Sequence, residues 1–266
     1  MSATKDGDST PPVTRAPKPE RHGQRPDTLR PPVTRLTGGR DSAAVPGMQV
    51  TYYLEVTSSW CFWAEPVWAD LKRRYAGRVA FDWKIAKMNP ADFPTSHRQY
   101  DWFLRRSAAI TGADFVPSSA YYDVPAPGAY PAASAVAEGA RSLGVAGDEV
   151  RCALSDAAYR NGRKIGHLEV AIEIAVAAAN GRLDPLPLRE RALSADVAAR
   201  LDATTAEFHA LQVTQRPTFV LENSIGDKAV FSGVIRAEPL VAAMDAMLAD
   251  AAAYAAYRES FGVPPP

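Results

Sequence analysis

Apolar and polar positions alternate at the start of the stretch Gln49–Pro66. Val50, Tyr52, Leu54 and Val56 fall on one side, with mostly β-branched or aromatic neighbours between them, the period of a β-strand. The alternation stops at Thr57-Ser58-Ser59, three hydroxyl residues suited to cap a helix start. The run Trp60-Cys61-Phe62-Trp63 follows and leads into Glu65–Tyr75, which has helical spacing. Val67, Trp68 and Leu71 lie on one side, and Lys72, Arg73 and Arg74 fall near the C-terminal end, where cations suit the helix dipole. Gly77 marks the stop. Val79–Ile85 alternates as a second strand, so the chain opens with a βαβ unit whose strands are predicted to be parallel.

From about residue 94 to 211 strand patterning disappears. Arg98–Ile110, Pro131–Leu143, Gly147–Asn161, His167–Asn180, Leu188–Leu193 and Asp196–Leu211 read as alanine-rich helices. Breakers at Gly112, Pro125–Pro127, Gly144, Gly162–Gly166 and Asp184–Pro187 divide them. Strand chemistry returns at Pro217–Leu221 and Ala229–Ser232, joined by a turn at Asn223–Asp227, which predicts an antiparallel hairpin. A helix over Glu238–Tyr257 closes the pattern. The expected organisation is α/β (βαβ first, ββα last): residues 48–93 and 212–258 form the strand-bearing domain and 94–211 a helical insertion.

Residues 1–47 fit neither period. They hold eight of the chain's 22 prolines and no aromatics, and PPVTR occurs twice, at Pro11–Arg15 and Pro31–Arg35. Too little apolar surface is present to offset chain entropy, so a disordered proline-rich leader is expected. Eight basic residues against five acidic ones leave this leader at +3.

Composition then narrows the function classes. Over 266 residues, 30 basic and 30 acidic side chains balance to a net charge of zero, which gives no basic face for nucleic acid or an anionic membrane. No stretch reaches the roughly 18 consecutive apolar residues of a membrane span. The start also lacks the apolar core of a secretory signal. Two cysteines, Cys61 and Cys152, are too few for a disulfide framework and fit a reducing, cytoplasmic setting. His97, His167 and His209 show no metal-ligand spacing, and no metal is expected.

The candidate chemistry lies where the first strand meets the first helix. Unpaired N–H groups and the helix dipole favour a thiolate there. Glu55-Val56-Thr57-Ser58-Ser59-Trp60-Cys61-Phe62 resembles the active-site turn of the DsbA family of thioredoxin-fold proteins. That family includes FrnE-like members and relatives such as the 2-hydroxychromene-2-carboxylate isomerases and kappa-class glutathione transferases. Leu211–Val220 resembles the family's second segment, whose proline, matched by Pro217, is cis and sits beside the turn. Ser232-Gly233-Val234 resembles its SGA, and Gly162–Ile165 with Glu169-Val170 fits the FrnE-like helical insertion. The resemblance spans about residues 48–255 and implies a thioredoxin fold with a large all-helical insertion.

Against the family's CPWC, this chain reads Ser58-Ser59-Trp60-Cys61. The nucleophilic first cysteine is replaced by Ser58, and Cys61 occupies the resolving position. There it is read either as a reactive thiol at a helix start or as an inert core cysteine buried against Trp60, Phe62 and Trp63. A dithiol cycle requires two thiols. The isomerase and transferase relatives carry a serine at the first position that hydrogen-bonds a glutathione thiolate. This implies a thiol-dependent enzyme using glutathione or another low-molecular-weight thiol for conjugation, isomerisation or monothiol reduction of a small molecule. The implied catalytic residues are Ser58 and Cys61, with substrate contacts from Ser59, Trp60, Trp63, Gln215, Arg216 and Pro217. Trp60 and Trp63 are read either as walls of an apolar slot or as packing. Arg216 is read either as a partner for a substrate carboxylate or as a solvent-facing loop residue. The alternatives are a protein thiol–disulfide oxidoreductase working through Cys61 alone on protein thiols, and a non-catalytic binding module.

Overall fold

The computed structural model describes residues 47–123 and 132–263. The leader, the breaker at Pro125–Pro127, the expected helix start at Pro131 and the terminal prolines lie outside these residues. Four strands form one mixed sheet: β1 (Met48–Leu54), β2 (Val79–Ile85), β3 (Thr218–Asn223) and β4 (Lys228–Ser232). Their order is β2-β1-β3-β4. β1 and β2 run parallel with Leu54 opposite Ile85, while β3 is antiparallel to both β1 and β4. Having a neighbour on each edge and helices on its faces, β1 is buried throughout except at Gln49, which explains why its alternation was softened by Thr51 and Tyr53.

The crossover between β1 and β2 is α1 (Ser59–Arg74), a single 16-residue helix that contains Pro66. The proline removes one intrahelical N–H, and the helix runs through it because Phe62, Ala64, Trp68 and Leu71 are held in the core. Tyr52 of β1 stacks on Phe219 of β3 at 4.8 Å and tilts against Trp68 at 5.1 Å, so one aromatic layer joins sheet and helix.

Six α-helices follow β2: α2 (His97–Thr111), α3 (Ala132–Ser142), α4 (Glu149–Tyr159), α5 (Leu168–Ala178), α6 (Pro185–Ala192) and α7 (Ala195–Ala210). They share a continuous apolar core with the sheet, running from Val50 and Trp68 to Val136, Leu154 and Ile172. A buried polar clamp also ties α4 to α1. Arg151, 2% exposed, bridges Glu65 and Asp148, and Asp148 accepts from Trp68 Nε1 and Lys72. The sequence reading missed one short element, a 3₁₀ turn at Pro90–Asp92.

α8 (Ala237–Phe261) packs on β3 and α1 through Leu240, Met244, Met247 and Ala251. By length and composition alone it qualifies as a membrane span, with a mean hydropathy of 1.2 over its best window. The sequence reading found no such candidate because the helix's apolarity is largely alanine, interrupted by Asp245 and Asp250.

Candidate active site

β1 delivers the chain to a tight turn that becomes the N-terminus of α1. Ser58 is its N-cap: extended at φ −93°, ψ 120°, it accepts the Cys61 N–H on its side-chain oxygen at 3.4 Å. No hydrogen bond among the described residues uses its own hydroxyl proton. The N–H groups of Ser59 and Trp60 stand in the first turn, where the helix offers no acceptor. The helical insertion fixes the turn from behind. Ser155 and Tyr159 of α4 donate to the carbonyls of Val56 and Thr57 at 3.0 and 2.7 Å. The hydroxyls of Tyr100, Tyr121 and Tyr159 hydrogen-bond one another, and Tyr121 also reaches the Thr57 carbonyl. Burial pushes all three phenols up, that of Tyr100 to about 12, so they act as neutral hydrogen-bonding groups.

Cys61 takes the second of the two positions read for it, that of a core cysteine. Its side chain is 2% exposed, points back to β1 and accepts the Glu55 N–H at 3.5 Å. Burial pushes the thiol up to about 11, against the lowering effect of the Glu55 N–H and the Ser58 hydroxyl. The reading of Cys61 as a thiolate favoured by the helix start is the one the structure goes against. Helix-start stabilisation needs a sulfur that stays near solvent, and here desolvation outweighs it. Cys152 is no substitute nucleophile: its thiol donates to Glu65 Oε2 and is also pushed up by burial.

Beside Cys61 lies Glu55, fully buried. Its Oε1 accepts from the Ser134 hydroxyl of α3 at 2.5 Å and from the Thr57 N–H and hydroxyl, while Oε2 has no partner among the described residues. Burial raises its carboxyl despite those bonds.

The second half of the site comes from the loop before β3. The Arg216–Pro217 peptide bond is cis. Thr218 and Ser232 donate to the Gln215 carbonyl, and the Gly233 N–H donates to that of Pro217 at 2.7 Å. Gly233 sits at φ +76°, a conformation open to glycine at little cost. Arg216 follows neither expectation. It is 8% exposed, donates to the Ala86 and Lys87 carbonyls and lies 4.4 Å over the Phe208 ring. Its guanidinium is thus committed to the main chain and not to solvent or a substrate carboxylate. No hydrogen bond within the described residues engages the Arg216 N–H or C=O.

These two segments share a pocket of about 630 Å³, lined by Thr57–Trp60 on one side and Thr214–Arg216 on the other. Phe93, Tyr100, Phe103, Tyr121 and Tyr122 supply aromatic walls, and Asp92, Arg106 and His209 supply charged or polar groups. Ser58, Ser59, Trp60, Gln215 and Arg216 are thereby brought together, and Pro217, next in the chain, is not on the lining. Cys61 and Trp63 do not line the pocket. Trp63 instead donates its indole N–H to Ser107 of α2 at 3.1 Å and packs against Phe62 and Phe115; its role is packing. The tyrosines and Arg106 escaped the sequence reading. Only the Tyr121-Tyr122 doublet in a loop offered a signal, and no period attached it to the site. Among the described residues no cluster of His, Cys, Asp and Glu is placed to hold a metal.

No family model matches the chain, and no curated protein is similar to it in sequence. Solved structures do match. A candidate protein disulfide isomerase from Nitrosomonas europaea superposes with a TM-score of 0.62 at 16% identity, covering 76% of this chain and 98% of its own. The cytosolic disulfide reductase DsbM from Pseudomonas aeruginosa gives 0.60 at 20%, with 75% and 98% covered. A 2-hydroxychromene-2-carboxylate isomerase gives 0.51 at 17%, with 77% and 98% covered. The structural neighbours are DsbA-family proteins, and the fold is the thioredoxin fold with a helical insertion.

Proposed function

We propose that this protein is a thiol-dependent enzyme that takes its reactive thiol from solution. A low-molecular-weight thiol such as glutathione would bind against Ser58, the first N–H groups of α1 and the loop at Gln215–Pro217. The observation that carries this reading is the division of roles at the turn. Ser58 lines the pocket, whereas Cys61 does not and its thiol is buried and pushed up to about 11. A hydroxyl and free N–H groups at a helix N-terminus stabilise a bound thiolate and so raise the concentration of the nucleophile at neutral pH. The main-chain groups of Arg216, which no described residue engages, are suited to pair with a peptide-like backbone such as glutathione's.

Support also comes from DsbM, whose structure is known with glutathione, and from the isomerase, whose name identifies a small aromatic carboxylate as its substrate. The supported reactions are conjugation, isomerisation or monothiol reduction of a small molecule. Two unpaired cysteines fit work in a reducing compartment. Exchange through Cys61 alone is disfavoured because an attacking thiolate must be both ionised and accessible. Calorimetric titration of the full chain with glutathione tests the reading. Saturable binding that Ser58→Ala weakens at least about tenfold, the loss of one good hydrogen bond to an ionised sulfur, supports it. No binding, or binding indifferent to Ser58, overturns it.

A further inference from the structure

The apolar stripe of α8 does not stop where the body of the protein stops. Leu240, Met244, Met247 and Ala251 recur every three or four residues and are buried where the helix packs on β3 and α1. The same spacing continues through Tyr254, Arg258 and Phe261, with Tyr257 beside them. Every residue from Ala252 to Val263 is exposed, so the helix from Ala252 to Phe261 stands clear of the body over about 15 Å. Tyr254, Tyr257 and Phe261 are 58%, 62% and 72% exposed, and the rings of Tyr257 and Phe261 meet at 4.7 Å. Rings grouped in water on a free helix mark an interaction surface. The charges of this segment are also unmet. Asp250 and Arg258 stand four residues to either side of Tyr254, and among the described residues neither side chain has a hydrogen-bond or ion-pair partner.

We infer that this end of α8 is a docking surface for a second copy of the chain, the two helices pairing antiparallel about a two-fold axis at Tyr254. The sequence is self-complementary in that arrangement, because residues equally spaced from the axis come level with each other. Arg258 of each copy lies level with the partner's Asp250, within reach of a long arginine side chain, and the pair is made twice. Tyr257 lies level with the partner's Ala251, a large ring against a small side chain. Phe261 lies level with the partner's Met247, where the partner's own core begins. A parallel pair would instead set Asp250 beside Asp250 and Arg258 beside Arg258. An anionic lipid surface fits less well, since the free stretch carries one cation against Asp250 and Glu259. Three turns of helix from each copy make a small interface, so the dimer is concentration-dependent. The inference is independent of the thiol chemistry at Ser58.

Sedimentation velocity and light scattering on the full chain, from low micromolar to sub-millimolar concentration, test the interface. The native protein should pass from monomer to dimer over that range, and Tyr254→Glu combined with Phe261→Ser should hold it monomeric. Arg258→Asp and Asp250→Arg should each weaken association at least about tenfold, because each sets like charges level in both halves of the seam. The double variant Asp250→Arg/Arg258→Asp exchanges the signs of the pair and should regain most of the native affinity. All four positions are exposed, and thermal melting of each variant checks that the fold is kept. A native protein that stays monomeric throughout, or a dimer indifferent to Tyr254 and Phe261, would overturn the interface. So would single charge reversals without effect, or a double variant no better than the singles. Monomeric protein that instead floats with phosphatidylglycerol vesicles would assign the rings to a lipid surface and overturn it likewise.

Discussion

The Ser58 hydroxyl oxygen lies 3.4 Å from the amide nitrogen of Cys61 and accepts its hydrogen, yet the two side chains part company. Ser58 lines the pocket, and Cys61 turns into the core between β1 and α1. One helical turn thus separates a serine on the pocket lining from a cysteine that is off it.

For Cys61 this predicts slow alkylation. A small maleimide should label native protein at neutral pH no faster than a buried thiol, with the rate climbing only as pH approaches 11, the value to which burial pushes it. Mass spectrometry of the labelled tryptic peptide measures the rate at Cys61. Rapid labelling at neutral pH would restore the single-cysteine exchange mechanism.

Arg216 is expected to be structural. Arg216→Ala removes two charge-assisted bonds to the carbonyls at the end of β2 and leaves those carbonyls short of a donor, a loss of about 2–4 kcal/mol. Urea unfolding measures it. A change below about 0.5 kcal/mol would show that the loop is held by other contacts.

Tyr159→Phe deletes the hydroxyl that donates to the Thr57 carbonyl at 2.7 Å and bonds to two other phenols. Destabilisation of roughly 1–3 kcal/mol follows from leaving a buried acceptor with fewer donors. Thermal unfolding should detect it, together with weaker ligand binding at the turn that Tyr159 supports. An unchanged melting temperature would contradict this.

Glu55 gives the pH dependence. Burial raises its carboxyl above the ordinary value of 4.5 in the folded chain, so the fold favours the protonated form. Its contribution to stability is therefore full below pH 4.5 and is lost as pH rises through the raised value. The difference in melting temperature between native protein and Glu55→Gln, followed from acid to neutral pH, should shift in favour of the variant as pH increases. A difference that is flat with pH would show that folding leaves the Glu55 carboxyl at its ordinary value.

The architecture was readable because its signals are local. The period-2 runs at Val50–Val56 and Val79–Ile85 and the helical spacing of six insertion segments survive in the structure, with ends displaced by one to three residues. The hydroxyl cap at Ser58 was equally local. What escaped depended on distant contacts. Nothing near Arg216 in the chain announces that residues 86 and 87 lie within reach of its guanidinium. Likewise, Tyr100, Tyr121 and Tyr159 meet only because three separate insertion segments converge on Thr57. For Cys61, its place at a helix start pointed to a thiolate and its aromatic neighbours Trp60, Phe62 and Trp63 pointed to burial, and burial won.

The central claim is that Ser58 and the α1 N-terminus hold an external thiol as its thiolate. The most direct test follows the ultraviolet absorbance of the thiolate while glutathione is titrated with base, free and in complex with saturating protein in which both cysteines are replaced by alanine. The account predicts a bound thiol whose pKa lies at least about one unit below that of free glutathione, with the shift largely lost in Ser58→Ala. A bound thiol that ionises like the free one, or a lowered pKa that is untouched by Ser58→Ala, would contradict it.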